Sequence, residues 1–222
     1  MDAEAFQNIL QFVIRFIILI PSIVIHEVAH GYAALWCGDP TAKYAGRLNF
    51  NPLKHVDAWG TIAMPLIMLI ASGGRFAFGY AKPVPINPYR FRDERKGMLI
   101  TGIAGPIANL ALAIVAGALV RILTIFPYET SGLLQALIFA LSFLCQINLW
   151  LMFFNLIPIP PLDGSRIIQK FLPNNLRDAY HNLERYGFII VLLILFVFPW
   201  IFSAYYLLTV APLFRLLTGL SV

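Results

Sequence analysis

The chain has 222 residues, 59% of them hydrophobic and 12% charged, with a mean hydropathy of +0.77. Soluble domains carry about 45–50% apolar and about 25% charged residues, so this composition excludes an ordinary soluble domain and predicts a polytopic membrane protein. The formal charge of +5 does not call for nucleic acid, because the basic residues are distributed as a membrane topology requires, and Cys37 and Cys145 lie too far apart in sequence to suggest a disulfide framework.

The N-terminus MDAEAFQN is acidic, and no cleavage-like site follows the first apolar run, so that run is expected to remain as a span over residues 6–36. Arg15 lies in its outer half, where a long side chain can reach the headgroups. Cys37-Gly38-Asp39-Pro40 then breaks the helix. The polar stretch that follows alternates around Ala45–Phe50, which predicts a short strand. Residues 58–72 are apolar, but a span needs about 20 residues, so they are read as a re-entrant or interfacial segment. Phe76–Ile86 reads as an extended strand or loop, confined to a sheet edge by Pro83 and Pro85. Further spans are expected at 98–126, 133–157 and 187–210, the last with Pro199 as a kink. The fold class is thus all-α, with about four transmembrane helices, one re-entrant or interfacial segment and short β-strands in the first cytoplasmic loop. One domain is expected over 1–222, with its core at 6–170.

Lysine and arginine orient these spans. If 58–72 does not cross, loops 37–97 and 164–186 share one side and hold 13 of the 16 basic residues; the others are Arg15, Arg121 and Arg215. The positive-inside rule makes that side cytoplasmic and both termini extracytoplasmic.

The first span carries His26, Glu27 and His30 in the order H-E-x-x-H. On a helix, positions i and i+4 share a face, so both imidazoles can reach one metal, with Glu27 placed beside them as a general base. Ionisable residues inside a span are costly, about 2.5–3.5 kcal/mol for a central Asp, and a shared divalent cation gives three of them a common partner. Catalytic zinc takes three protein ligands and leaves one position to water. His55 and His181 read as solvated loop histidines. Asp163 is the better third ligand, since it follows the proline-broken end of a span that returns to the same half of the membrane; the alternative is a turn aspartate before Gly164.

Three motifs in order, H26-E-V-A-H30, G105-P-I-A-N109 and N155-L-I-P-I-P-P-L-D163-G164, make the chain resemble the site-2 protease family of intramembrane zinc metalloproteases. The resemblance covers the first span to about residue 170. It implies one Zn2+ per chain held by His26, His30 and Asp163, with Glu27 as general acid/base and Asn155 holding the substrate carbonyl or its oxyanion. It further implies that Gly105 and Asn109 pack the middle span against the catalytic pair, with plain small-residue packing as the alternative. A substrate helix must unwind before cleavage, and its freed amides need partners. Phe78, Gly79 and Tyr80 resemble the substrate-clamping loop that would offer them by strand addition; the alternative is a loop held at the membrane surface. Set beside larger members of the family, the protein is expected to be a minimal form without the PDZ insertion or the nucleotide-binding domain.

The expected function is a zinc-dependent intramembrane endopeptidase acting in or near transmembrane segments of membrane proteins, in regulated intramembrane proteolysis. Expected partners are those substrates, the bilayer, and a regulatory membrane partner or a second copy, with no nucleic acid. The compact form suggests a bacterial or archaeal plasma membrane, with the site in its cytoplasmic half. The alternatives are a catalytically silent zinc-binding scaffold, disfavoured by an intact Glu27, and a metal or ion transporter, disfavoured by the absence of acidic or histidine residues in 133–157.

Overall fold

A computed structural model describes residues 3–71, 82–125 and 132–221. Its helices are α1 (Ala3–Cys37), α2 (Thr41–Tyr44), α3 (Met64–Ala71), α4 (Glu94–Leu123), α5 (Gly132–Asn155), α6 (Asp163–Gln169), α7 (Asn174–Val197), α8 (Pro199–Leu208) and α9 (Val210–Thr218). Among the described residues, four stretches are long and apolar enough to cross a membrane: Val13–Cys37, Glu94–Leu123, Gly132–Asn155 and Pro199–Thr218.

Local chemistry sets the ends of these elements. α1 stops at Gly38, whose φ of +110° suits glycine, while Asp39 N closes back on Ala34 O at 2.9 Å. α4 begins at Asp93, whose carboxylate accepts from Lys96 N at 3.0 Å. α5 ends at Asn155 because Pro158, Pro160 and Pro161 cannot continue a helix.

The core lies where α4, α5 and α9 meet. Ala113 and Ala116 on α4 are small enough to admit Cys145, Leu149 and Met152 from α5 and Val210 and Phe214 from α9. Arg121 caps the far end of α9, donating to Leu216 O at 2.8 Å and Leu217 O at 3.1 Å. At the other end, Tyr205 on α8 donates to Phe153 O at 2.9 Å. The α8–α9 pair therefore runs antiparallel to α5. Arg15, near the start of the α1 span at Val13, sits over the rings of Phe139 and Phe143, so this part of α1 lies toward the same end of the bundle as the last turn of α9.

Two expectations change, the extent of the last span and the strands. The last apolar run is not one helix over 187–210: Pro199 starts a new helix, and the stretch long enough to span is Pro199–Thr218. Residues 187–197 instead finish α7, whose first half is polar. No strand occurs among the described residues. Around Ala45–Phe50 the backbone turns, with Arg47 N bonded to Ala42 O at 2.9 Å. Residues 82–87 are extended but form no ladder, because Pro83 and Pro85 lack the N–H groups a ladder needs. Phe78, Gly79 and Tyr80 lie outside the described residues. The apolar segment expected at 58–72 is helical through Ala58–Ala63 and Met64–Ala71. The described part, residues 58–71, would be about 21 Å long at the α-helical rise of 1.5 Å per residue, short of a hydrocarbon core of about 30 Å.

Candidate metal centre

His26 and His30 lie one helical turn apart on α1 and are 6% and 3% exposed. Their rings meet edge to face, with 3.0 Å between the two Nε2 atoms. The break after α5 delivers Asp163, the first residue of α6, to the same place. Its Oδ2 lies 3.1 Å from each Nε2. Its Oδ1 faces the Arg166 guanidinium one turn on, at 3.6 Å.

What these three atoms share is that each accepts. Thr101 O is 2.6 Å from His30 Nδ1, and a carbonyl can only accept, so Nδ1 carries the proton and Nε2 presents a lone pair. His26 Nδ1 is 2.5 Å from Asn109 Oδ1, with the same consequence. Two lone pairs and a carboxylate oxygen 3.0–3.1 Å apart repel one another unless a cation sits among them. Four-coordinate zinc with bonds of about 2.0–2.1 Å sets neighbouring ligand atoms about 3.3 Å apart, so the spacing fits that ion. An oxygen accepting from the far nitrogen, as Asn109 Oδ1 and Thr101 O do here, is the usual companion of a metal-binding imidazole.

Gly105 on α4 forms the wall opposite the imidazoles. A Cβ there would lie 2.5 Å from His30 Nε2 and 2.6 Å from His26 Nε2. Its neighbour in the motif, Asn109, is fully buried and acts through a hydrogen bond, so packing alone does not account for it.

Glu27 points to the side of the pair, where its Oε2 accepts from Val84 N at 2.8 Å. The segment 82–84 that supplies this amide is fastened by Arg47. Its guanidinium donates to Lys82 O at 2.5 Å, to Pro83 O at 3.3 Å and, by a short bond, to Lys54 O. Lys82 N adds a bond to His55 O at 2.9 Å.

Asn155 ends α5 with its amide donating to Leu151 O at 2.9 Å, and no bond joins it to the imidazole–carboxylate group among the described residues. His55 is not solvated as expected: it is 2% exposed and its Nε2 is bonded to Asn49 O at 2.8 Å, so it braces the loop away from the centre. His181 lies on α7, and its side chain is outside the described residues.

Sequence reasoning missed Ser22 and Asn148. Asn109 Nδ2 donates to Asn148 Oδ1 at 2.7 Å, and Asn148 Nδ2 donates to Ser22 Oγ at 3.0 Å. Both were legible as polar residues inside apolar runs, and Ser22 stands one turn before His26.

The family model described as Peptidase family M50 matches residues 14–198. Among related proteins, YwhC of Bacillus subtilis is 42% identical over 188 residues, covering 82% of this chain and 80% of that protein. Rip2 of Mycolicibacterium smegmatis is 28% identical over 174 residues, covering 78% of this chain and 63% of Rip2. Both are named as putative zinc metalloproteases. The zinc metalloprotease MJ0392 of Methanocaldococcus jannaschii is 29% identical over 165 residues, 74% of this chain and 36% of its own. No solved structure matches the chain.

Proposed function

From the premise that this chain belongs to peptidase family M50, a family of zinc metalloproteases, we propose that it is an intramembrane endopeptidase that cuts membrane proteins in or near their transmembrane segments. Zn2+ is its cofactor. The observation that carries the reading is the convergence of three acceptor atoms, His26 Nε2, His30 Nε2 and Asp163 Oδ2, between helices long enough to span a membrane. These residues would hold the ion, with Glu27 beside it.

When bound, zinc supplies Lewis acidity toward water and a carbonyl oxygen. Glu27 takes a proton from the water that attacks the scissile carbonyl carbon. As the new C–O bond forms and the C–N bond breaks, Glu27 passes that proton to the leaving nitrogen. Asn155, turned from Leu151 O, donates to the developing oxyanion. The oxygens bonded to Nδ1 of His26 and His30 leave Nε2 of each ring as the nitrogen that would meet the metal.

The charge distribution supports a cytoplasmic-half site with both termini extracytoplasmic, and relatives in Bacillus subtilis and Methanocaldococcus jannaschii fit the plasma membrane of a bacterium or archaeon. There the path for water from the cytoplasm is short. Strand addition of the unwound substrate beside Phe78, Gly79 and Tyr80 would satisfy its freed amides. Regulation fits a membrane partner or a second copy.

The experiment is a comparison of membrane-protein fragments between cells carrying the wild type and Glu27→Gln. The protease reading expects fragments that vanish in the variant while its zinc content is unchanged. Identical fragment patterns with zinc retained would favour a silent zinc scaffold.

A further inference from the structure

Beyond Asn109 a buried chain of hydrogen bonds runs away from the metal centre, and its polarity is fixed at the far end. Asn148 Nδ2 donates to Leu144 O at 2.8 Å, and Ser22 Oγ donates to Ile18 O at 2.9 Å. Both acceptors are backbone carbonyls of the helices themselves, α5 and α1. A carbonyl cannot donate, so Asn148 must turn its NH2 group toward Leu144 O and its Oδ1 toward Asn109. The Ser22 hydroxyl, committed to Ile18 O, is left as an acceptor and holds the second Asn148 N–H at 3.0 Å. Asn109 then has one satisfactory orientation, with Nδ2 to Asn148 at 2.7 Å and Oδ1 to His26 Nδ1 at 2.5 Å. The His26 proton therefore sits on Nδ1, and the Nε2 lone pair faces Asp163 and His30.

Bulk solvent does not reach this arrangement. Asn109 and Asn148 are fully buried and Ser22 is 1% exposed. Reversing either amide sets N–H against N–H and oxygen against oxygen, and each buried group so stranded costs about 1–3 kcal/mol. With Asn109 reversed, His26 would have to accept at Nδ1 and carry its proton on Nε2, which blocks a metal.

We propose that Asn148, supported by Ser22, is a positioning residue of the metal centre, fixing through Asn109 the His26 tautomer that offers its Nε2 lone pair to zinc. The inference rests on the zinc-site reading above. It assigns to two polar residues within the spans a task that helix packing alone would not need.

The test measures zinc affinity of the purified full-length chain in detergent by competition with a chromophoric chelator, and thermal stability of the metal-free form. Asn148→Leu is expected to weaken zinc binding about 10–100-fold, the effect of losing an outer-shell partner. Asn148→Asp, whose protonated carboxyl can accept from Asn109 and donate to Leu144 O, should stay near the wild type. Leu149→Ala, which opens the neighbouring core without touching the chain of bonds, should lower stability and leave zinc affinity about unchanged. Ser22→Ala should weaken affinity in the same direction as Asn148→Leu, by less, and serves if Asn148→Leu does not fold. Unchanged affinity in Asn148→Leu and Ser22→Ala overturns the proposal. So does a loss in Leu149→Ala as large as in Asn148→Leu. A wild type that binds no zinc overturns the zinc site itself and is seen before any variant is compared.

Discussion

The carboxylate of Glu27 accepts a 2.8 Å hydrogen bond from the backbone amide of Val84, joining α1 to a segment 57 residues further along the chain. Anchoring Oε2 in this way sets the direction in which the remaining oxygen can work. Val84 is itself 5% exposed and packs beside Gly31, so the strap lies closely along α1.

Val84→Pro removes this N–H while keeping an apolar side chain, and Val84→Ala keeps it. A hydrogen bond to a charged group contributes about 1.5–3 kcal/mol, so Val84→Pro should lower the turnover of a cleaved membrane substrate about 10–100-fold, with zinc content unchanged. Val84→Ala should retain most of the activity. Quantified fragment release from the same substrate, alongside metal analysis, checks both.

Gly105→Ala places a methyl group 2.5–2.6 Å from the imidazole nitrogens. Overpacking of this kind costs about 1–3 kcal/mol, and here the displaced groups are the proposed ligands. The variant should fold with its helix content intact and lose most of its zinc, as read by metal analysis and circular dichroism.

Removal of the metal should destabilise the whole bundle, because α1, α4 and α6 meet at the site. A ligand present at about 1,000 times its Kd stabilises the folded state by about 4.1 kcal/mol. Stripping zinc with a chelator should lower the thermal midpoint in detergent, and adding zinc back should restore it. In Asp163→Ala both changes should be largely absent.

Asp39 gives a pH prediction outside the spans. Burial would push its carboxyl up, but hydrogen bonds from Asn87 N at 2.6 Å and from Thr41 outweigh it, with Arg90 adding to the effect, and hold it below the usual range. A depressed folded-state pKa means that the stabilisation is present above the unfolded value of about 3.9 and fades as pH falls through the folded value. Asp39→Asn should therefore be less stable than the wild type at neutral pH. Melting curves of the two should converge below about pH 4.

The H-E-x-x-H face and the first three spans were legible because helical period and apolar length are local properties. Asp163 was legible as a candidate through the topology that returned it to the same depth, and the structure sets it 3.1 Å from both imidazoles. The strand expected at Ala45–Phe50 followed a real alternation, but Arg47 turns inward to bond the 54 and 82–83 carbonyls, so the alternating side chains do not mark two faces of a sheet. Pro199 was read as a kink, whereas it opens a new helix after Phe198. His55 looked solvated because its neighbours are polar; its burial depends on segment 82–84, distant in sequence. The Val84–Glu27 and Asn109–Asn148 bonds join residues 57 and 39 positions apart, and no local period encodes such pairings.

The most direct test of the central claim is zinc X-ray absorption on the purified full-length chain, beside metal analysis of Asp163→Ala. The account predicts one zinc per chain, nitrogen and oxygen neighbours at about 2.0–2.2 Å, two of them imidazole, and loss of the metal in Asp163→Ala. A sulfur neighbour at about 2.3 Å, implicating Cys37 or Cys145, or full zinc content in Asp163→Ala, would contradict it.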